Sequence, residues 1–209
     1  MSKYIYLLDA GHGGIDDNNV YTTSGKRSPI WKDTNEQYFE GEGNRIIRDE
    51  LAVELSRKGI KYHYVSVGSK DVGLKERVAV INAYCDAYGK DNVILISIHS
   101  NGASNPLGQG WEVYTSRGQT KSDPIATVFY NEALQEFPRR KFRKDTKDGD
   151  VDKEANFYII AKSKCRAILT ENFFMTNKYE CQNILLTKSG LSKIANLHLN
   201  GILQVEKKL

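Results

Sequence analysis

Cysteine is scarce in this sequence, and none of it is arranged in pairs. Cys85, Cys165 and Cys181 are odd in number, far apart and without a C-x-x-C spacing, so a disulfide framework is excluded and reduced core or surface thiols are expected. No apolar run approaches the roughly 20 residues of a membrane span. The stretch from Met1 to Asp9 is too short in apolar residues for a signal peptide and runs straight into a strand. Internal repeats, low-complexity tracts and linkers are also missing. An excess of charge is missing too: 30 Lys and Arg against 26 Asp and Glu give a net charge of +4 and a pI near 8.8. That mild basicity favours encounter with an anionic surface and falls short of a nucleic-acid footprint. What remains is 209 residues, 40% of them hydrophobic, the profile of one ordinary soluble domain over residues 1–209. The expected product is a monomer made in the cytoplasm, needing a separate route to any target outside the cell.

The pattern along the chain predicts an α/β fold with a mostly parallel central sheet of about six strands flanked by helices. Residues 4–10 read as a buried strand that breaks at once into Gly11-His12-Gly13-Gly14. Residues 15–39 lack periodicity and carry Tyr21, Lys26, Arg27, Trp31, Tyr38 and Phe39. A loop of this length either covers a cleft or is pinned to the body by its own aromatics. Helical spacing over 42–58 ends at Gly59; strand 60–67 holds His63 in its interior, where a structural role is expected. A second helix is predicted over 71–88. The continuous apolar run 92–98 is that of a strand buried on both faces, and His99-Ser100-Asn101-Gly102 follows it. Further strands are predicted over 110–115, 155–160 and 166–170, the last delivering Glu171-Asn172, with helices over 123–137, 177–186 and 189–207. His198, on the last helix, reads as structural. The segment 139–154 separates Arg and Lys from Asp148, Asp150, Asp152 and Glu154, a pattern expected of a solvated loop.

Two histidines and a glutamate at three strand ends can converge, because a parallel sheet presents those ends on one rim. Two imidazoles and a carboxylate with an open position for water form one of the ligand sets of catalytic zinc. The chemistry also needs a second carboxylate as base, and Glu36, Glu40 and Glu42 stand near the first helix as candidates. None of the cysteines stands at a strand end beside a histidine, which argues against a cysteine nucleophile.

The order Asp9-Ala10-Gly11-His12-Gly13-Gly14, Glu40-Gly41-Glu42-Gly43-Asn44, Ser97-Ile98-His99-Ser100-Asn101 and Thr170-Glu171-Asn172-Phe173 resembles the zinc-dependent N-acetylmuramoyl-L-alanine amidases of type 3. The resemblance runs from about Tyr4 to Val205. It also takes in Leu74, Arg77 and Asn82, the stretch Gly110 to Tyr114, and Lys153 to Tyr158. It implies Zn²⁺ held by His12, Glu40 and His99, with Glu171 as catalytic base. Glu40 is favoured over Glu42 because the family's ligand glutamate stands four residues before an asparagine, here Asn44. The implied reaction cuts the amide between the lactyl group of N-acetylmuramic acid and L-alanine of the stem peptide of peptidoglycan. Asn101, Tyr21, Lys26, Arg27 and Trp31 are the candidate substrate contacts. Gly11, Gly13 and Gly14 are expected to let metal and glycopeptide approach the backbone. A proline and a glycine that relatives often carry around the catalytic glutamate are here Arg166 and Asn172, and no wall-binding module is expected beside the domain. The other readings are a zinc peptidase acting on wall peptides and a peptidoglycan-binding protein without catalysis.

Overall fold

A computed structural model describes residues 2–147 and 149–209. Its centre is set by three strands that are mostly apolar on both sides: β1 (Ile5–Ala10), β3 (Val93–Asn101) and β6 (Arg166–Phe174). Such strands can bury both faces only if helices cover each, which is the condition for a parallel α/β sheet. With β2 (Lys61–Tyr64), β4 (Glu112–Thr115) and β5 (Lys153–Glu154) they form one six-stranded sheet in the order β2-β1-β3-β6-β4-β5. β2, β1, β3 and β6 are parallel; β4 runs antiparallel to β6, and β5 parallel to β4.

Helices α1 (Glu40–Arg57), α3 (Asp123–Glu136) and α6 (Lys188–Lys208) cover one face. Ile47, Leu51 and Leu55 recur at four-residue spacing on α1 and meet Ile194 and Ile202 of α6 and Phe129 of α3 in a core with Leu8, Ile96 and Ile168. The opposite face is covered by α2 (Leu74–Tyr88) and the one-turn α4 (Tyr158–Ala161), whose Val78, Ile81 and Ile160 pack on Leu7, Leu95 and Leu169. A short turn, α5 (Lys178–Glu180), continues through a π-helical turn at Cys181–Leu185 towards α6. Thr187 caps α6, its side chain accepting from the Gly190 N–H at 3.0 Å. Among the described residues, no helix is long and apolar enough to cross a membrane, and no disulfide joins the three cysteines.

Several boundaries differ from the sequence pattern. The strand expected over 155–160 is instead β5 at Lys153–Glu154 followed by α4, because only two residues pair with β4 before the chain turns back over the sheet. The second strand shrinks to four residues. β3 extends to Asn101, so His99 lies within the strand's last turn of pleat and not beyond it. β6 likewise runs on past Glu171 to Phe174, with a register irregularity between His99 and Asn101 of its neighbour. Asp148, part of the acidic run, lies outside the described residues.

His63 stands in β2 with its ring 4.7 Å from that of Tyr84. His198 is fully buried: Nδ1–H donates to the Ile194 carbonyl at 2.7 Å, and Nε2 accepts from the Thr170 hydroxyl at 2.9 Å. Burial, against the pull of the Ile194 carbonyl, depresses its pKa to about 4, so the folded chain holds this ring neutral where the unfolded chain would protonate it. The stability it contributes is complete above the ordinary histidine pKa near 6.5 and is lost as the pH falls towards about 4, on the order of 3 kcal/mol in all. Urea unfolding midpoints across that window should therefore fall more steeply for the natural chain than for His198→Gln. Equal slopes would show that His198 is not the group being protonated.

Candidate metal centre and catalytic cleft

β1 ends on a buried ion pair. Asp9 Oδ1 lies 2.5 Å from Arg77 Nη1, and Asp9 Oδ2 accepts from the Ser97 hydroxyl at 2.7 Å; both charged side chains are at most 2% exposed. Arg77 spends its other donors on the main chain, at the carbonyls of Ala10 (2.7 Å), His12 (2.9 Å) and Val72 (2.8 Å). Arg45 of α1 approaches from the other side and donates to the His12 carbonyl at 3.0 Å, Gly41 at 2.8 Å and Gly68 at 2.9 Å. Two guanidinium groups thus hold one carbonyl, and His12 is kept at φ +67°, a conformation that costs a non-glycine residue free energy.

That fixed exit aims the imidazole at α1. Glu40 Oε1 lies 3.2 Å from His12 Nε2 and 3.1 Å from His99 Nδ1, and accepts the Ser100 N–H at 3.2 Å. The two imidazoles stand at right angles with ring centroids 5.0 Å apart. One donor atom from each of His12, Glu40 and His99 falls within 4.8 Å of the others, so the three could hold a metal ion. Glu42 points elsewhere: its Oε1 accepts the Ile15 N–H at 2.5 Å. Glu36 is exposed in the loop, where its backbone bridges to Trp31. Asn44, one turn after Glu40, donates to the Gly11 carbonyl at 3.2 Å and ties α1 to the end of β1.

The glycines of the motif serve these contacts. A Cβ on Gly11 would stand 2.1 Å from the His99 ring, and on Gly13 and Gly14 it would meet Thr22 and Glu42. The expectation that all three clear space for metal and glycopeptide is therefore corrected: what they admit is the chain's own side chains.

Glu171 belongs to the same rim. It pairs with His99 on one side and Glu112 on the other, and it lines a cleft of about 620 Å³ with His12, Glu40, His99, Lys26 and Asn101. Its Oε2 is buried and has no hydrogen-bond partner among the described residues. The two carboxyl groups of the cleft are driven in opposite directions. Burial alone would raise the pKa of Glu40, but hydrogen bonds and charge from His12 and His99 outweigh it and hold the carboxyl below the usual range. At Glu171 burial dominates; the charges of Glu40 and Glu112 add to it, that of His99 opposes it, and the pKa rises well above the usual range. His99 itself is disfavoured as a cation by burial, yet Glu40 and then Glu171 more than compensate, and its pKa rises.

The candidate substrate contacts separate. Lys26, at φ +46°, and Asn101 line the cleft. Tyr21, Arg27 and Trp31 are not among its lining residues. The Tyr21 hydroxyl accepts the Gly41 N–H at 3.0 Å and donates to the Lys26 carbonyl at 3.1 Å; Arg27 lies 5.7 Å from the ring centroids of Tyr21 and Phe39. Trp31 donates its indole N–H to Cys181 Sγ at 3.2 Å. Tyr21 and Trp31 pin the long loop to the body, Arg27 packs within the loop itself, and Lys26 is left at its inner edge.

Sequence reasoning passed over two residues that shape the site. Asn172 donates to the His99 carbonyl at 2.9 Å and to the Thr170 hydroxyl at 3.1 Å, while its Oδ1 accepts the Trp111 indole N–H at 2.8 Å. In the sequence Asn172 stands out only as replacing a glycine. The positive φ that a glycine would suit falls one residue later, on Phe173 at +66°. Glu112, 1% exposed, accepts from Asn101, Tyr114, Arg143 and Lys153 at 2.5 to 3.0 Å. Burial opposes its ionised form, but Lys153 and Arg143 hold its pKa below the usual range. The one signal for it was a carboxylate in the middle of an otherwise apolar strand.

Comparison with known proteins agrees with this architecture. The chain is 26% identical over 205 residues to an endolysin of Bacillus phage SPP1, covering 98% of this chain and 66%, just under two thirds, of that protein. It is 22% identical over 239 residues to the N-acetylmuramoyl-L-alanine amidase AmiA of Salmonella typhimurium, covering 97% of this chain and 76% of that protein. Among solved structures, the N-acetylmuramoyl-L-alanine amidase of Clostridium difficile 630 superposes with a TM-score of 0.77 at 24% identity, covering 100% of this chain and 99% of that one. Ami1 of Mycobacterium smegmatis gives 0.77 at 17% identity, with the same coverage. The model of the N-acetylmuramoyl-L-alanine amidase family, Amidase_3, matches residues 7–204, and the chain therefore belongs to that family.

Proposed function

We propose that this chain is a zinc-dependent N-acetylmuramoyl-L-alanine amidase that hydrolyses the bond between the lactyl carbonyl of N-acetylmuramic acid and L-alanine of the peptidoglycan stem peptide. The observation that carries the reading is the meeting of His12, Glu40 and His99 in a cleft that also holds the unpartnered Glu171 carboxyl. Membership of the amidase family supports it. The donor set supports the choice of metal: two imidazole nitrogens and a carboxylate oxygen suit zinc and leave a position open.

Zinc held by these residues supplies a Lewis acid for the scissile carbonyl and lowers the pKa of a water towards about 7. Glu171, outside the cluster yet on the same rim, takes a proton from the attacking water at a carboxylate oxygen and passes it to the departing amine of L-alanine. Its Oε2 has no hydrogen-bond partner among the described residues, which suits a group that must take up a proton and hold it between the two transfers. Lys26 at the edge of the cleft offers a cation to the anionic groups of the wall polymer. Asn172 holds the main chain at His99, and the Ser100 N–H holds the Glu40 carboxylate, which keeps the two groups oriented.

Digestion of purified peptidoglycan should release new L-alanine amino termini, leave the glycan strands intact and stop when a chelator is added. Cleavage confined to bonds inside the peptide would sink the amidase reading. Glu171→Gln should retain zinc by elemental analysis and lose about 10²-fold or more in kcat; wild-type turnover in that variant would remove Glu171 from the mechanism. Gly11→Ala, whose Cβ intrudes on the His99 ring, should weaken zinc binding by about 10-fold or more in a competition titration, and unchanged affinity would show that His99 is not a ligand.

A further inference from the structure

A second group of acids lies apart from the cleft, where α3 begins and the chain approaches β5. Asp123, in the first turn of α3, and Asp150 and Asp152, just before β5, bring one carboxylate oxygen each within 4.8 Å of the others. Asp152 is 1% exposed and Asp123 7%. Their oxygens are unevenly used. Asp152 Oδ2 accepts from the Thr115 hydroxyl at 2.6 Å, and the two oxygens of Asp123 accept from the Thr120 hydroxyl at 2.5 Å and N–H at 2.6 Å. Oδ1 of Asp150 and Oδ1 of Asp152 are buried without a hydrogen-bond partner among the described residues. The Asp150 and Asp152 carboxyl groups lie within hydrogen-bond reach of each other, where two ionised carboxylates offer only acceptors and need a proton or a cation between them. Among the described residues, no lysine or arginine forms an ion pair with any of the three.

Carboxylates buried against one another are costly unless a proton or a cation joins them. Burial first, and then the charges of Asp150 and Asp123, push the Asp152 carboxyl well above its ordinary pKa, the signature of a group that lacks a counter-charge. We propose that Asp123, Asp150 and Asp152 bind a hard divalent cation, Ca²⁺ in preference to Mg²⁺, at a site separate from the His12, Glu40 and His99 cluster. The donors are all oxygen, which selects hard cations over zinc. Two of them come from irregular chain, and Ca²⁺ accepts longer, less regular coordination than the strict octahedron of Mg²⁺. Asp152 directly precedes Lys153, whose ammonium reaches Glu112 at 2.9 Å and the Tyr114 hydroxyl at 2.8 Å. A cation here would fasten the start of α3 to the edge strand that carries Lys153.

The experiment uses the zinc-loaded full chain in buffer freed of other divalent ions, with CaCl₂ as the only added ligand. Calorimetric titration should show binding, and about 1 mM CaCl₂ should raise Tm by roughly 3 °C or more, with a smaller rise from MgCl₂. Asp150→Asn and Asp152→Asn should each abolish the calcium shift while zinc content stays unchanged. The proposal is overturned if the natural chain shows neither heat of binding nor a shift, with Asp150→Asn raising Tm at about pH 8 because the two carboxyls only share a proton. A calcium shift that survives in both variants overturns it as well, because the ion then binds elsewhere. An equal shift with MgCl₂ overturns the stated preference.

Discussion

The Asp9 and Arg77 pair is the constraint on which the site depends. Asp9 stands in a central strand between β2 and β3, where an isolated carboxylate could not remain ionised. Arg77 neutralises it and, with the rest of its planar fork, fixes the carbonyls of Ala10, His12 and Val72. A lysine could match the charge but not the geometry, since it presents one compact ammonium in place of a rigid set of donors. The desolvation of such a pair makes it a poor source of net stability, whereas removing one partner strands a buried charge at a cost of about 3–5 kcal/mol. Its return is positional: the chain leaves β1 along one path, with His12 in a backbone conformation it would not adopt alone.

The other half of the site is α1, which has to begin within van der Waals reach of that path. A side chain on Gly41 would collide with the Gly13 carbonyl, so the first turn of α1 lies directly against the loop after β1. Arg45 bonds to both sides of this contact. Glu40 and Glu42 both occupy that turn, where the positive end of the helix dipole favours carboxylates. They point about 200° apart around the axis. One therefore faces the imidazoles, and the other secures the N–H of Ile15.

That division explains what the sequence could and could not reveal. Strands buried on both faces leave continuous apolar runs, so β1, β3 and the start of β6 were legible, as were α1, α3 and α6 with their four-residue spacing. β5 and α4 were not: two and four residues carry no periodicity, and both are held by distant partners, Lys153 by Glu112 and the turn after α4 by Asn82, which donates to the Lys162 carbonyl. His12 and His99 stood out because glycine or polar residues follow an apolar run at each. Choosing between Glu40 and Glu42 needed the phase of the helix start, which a two-residue difference in its predicted boundary conceals. In the long loop, composition revealed aromatic and cationic side chains but not their direction, and only Lys26 reaches the cleft. Asn172 and Glu112 were hidden for a further reason: their importance lies in bonds to main chain and side chains far away in sequence.

The rim brings together two carboxyl groups, one from α1 and one from β6, whose proton affinities are driven in opposite directions. Glu40 is met by two imidazole nitrogens and an N–H, so its ionised form is stabilised despite burial. Glu171 meets no donor at Oε2 and has a carboxylate on the neighbouring strand. That neighbour, Glu112, is itself kept ionised by Lys153 and Arg143, so its charge is a fixed part of the scaffold and presses on Glu171. Carboxyl groups brought together in unlike surroundings take up unlike proton affinities. Burial presses on both carboxyl groups, and their partners then separate them: the imidazoles of His12 and His99 act at Glu40, while at Glu171 the charges of Glu40 and of Glu112, itself anchored by Lys153 of the edge strand and by Arg143, add to burial.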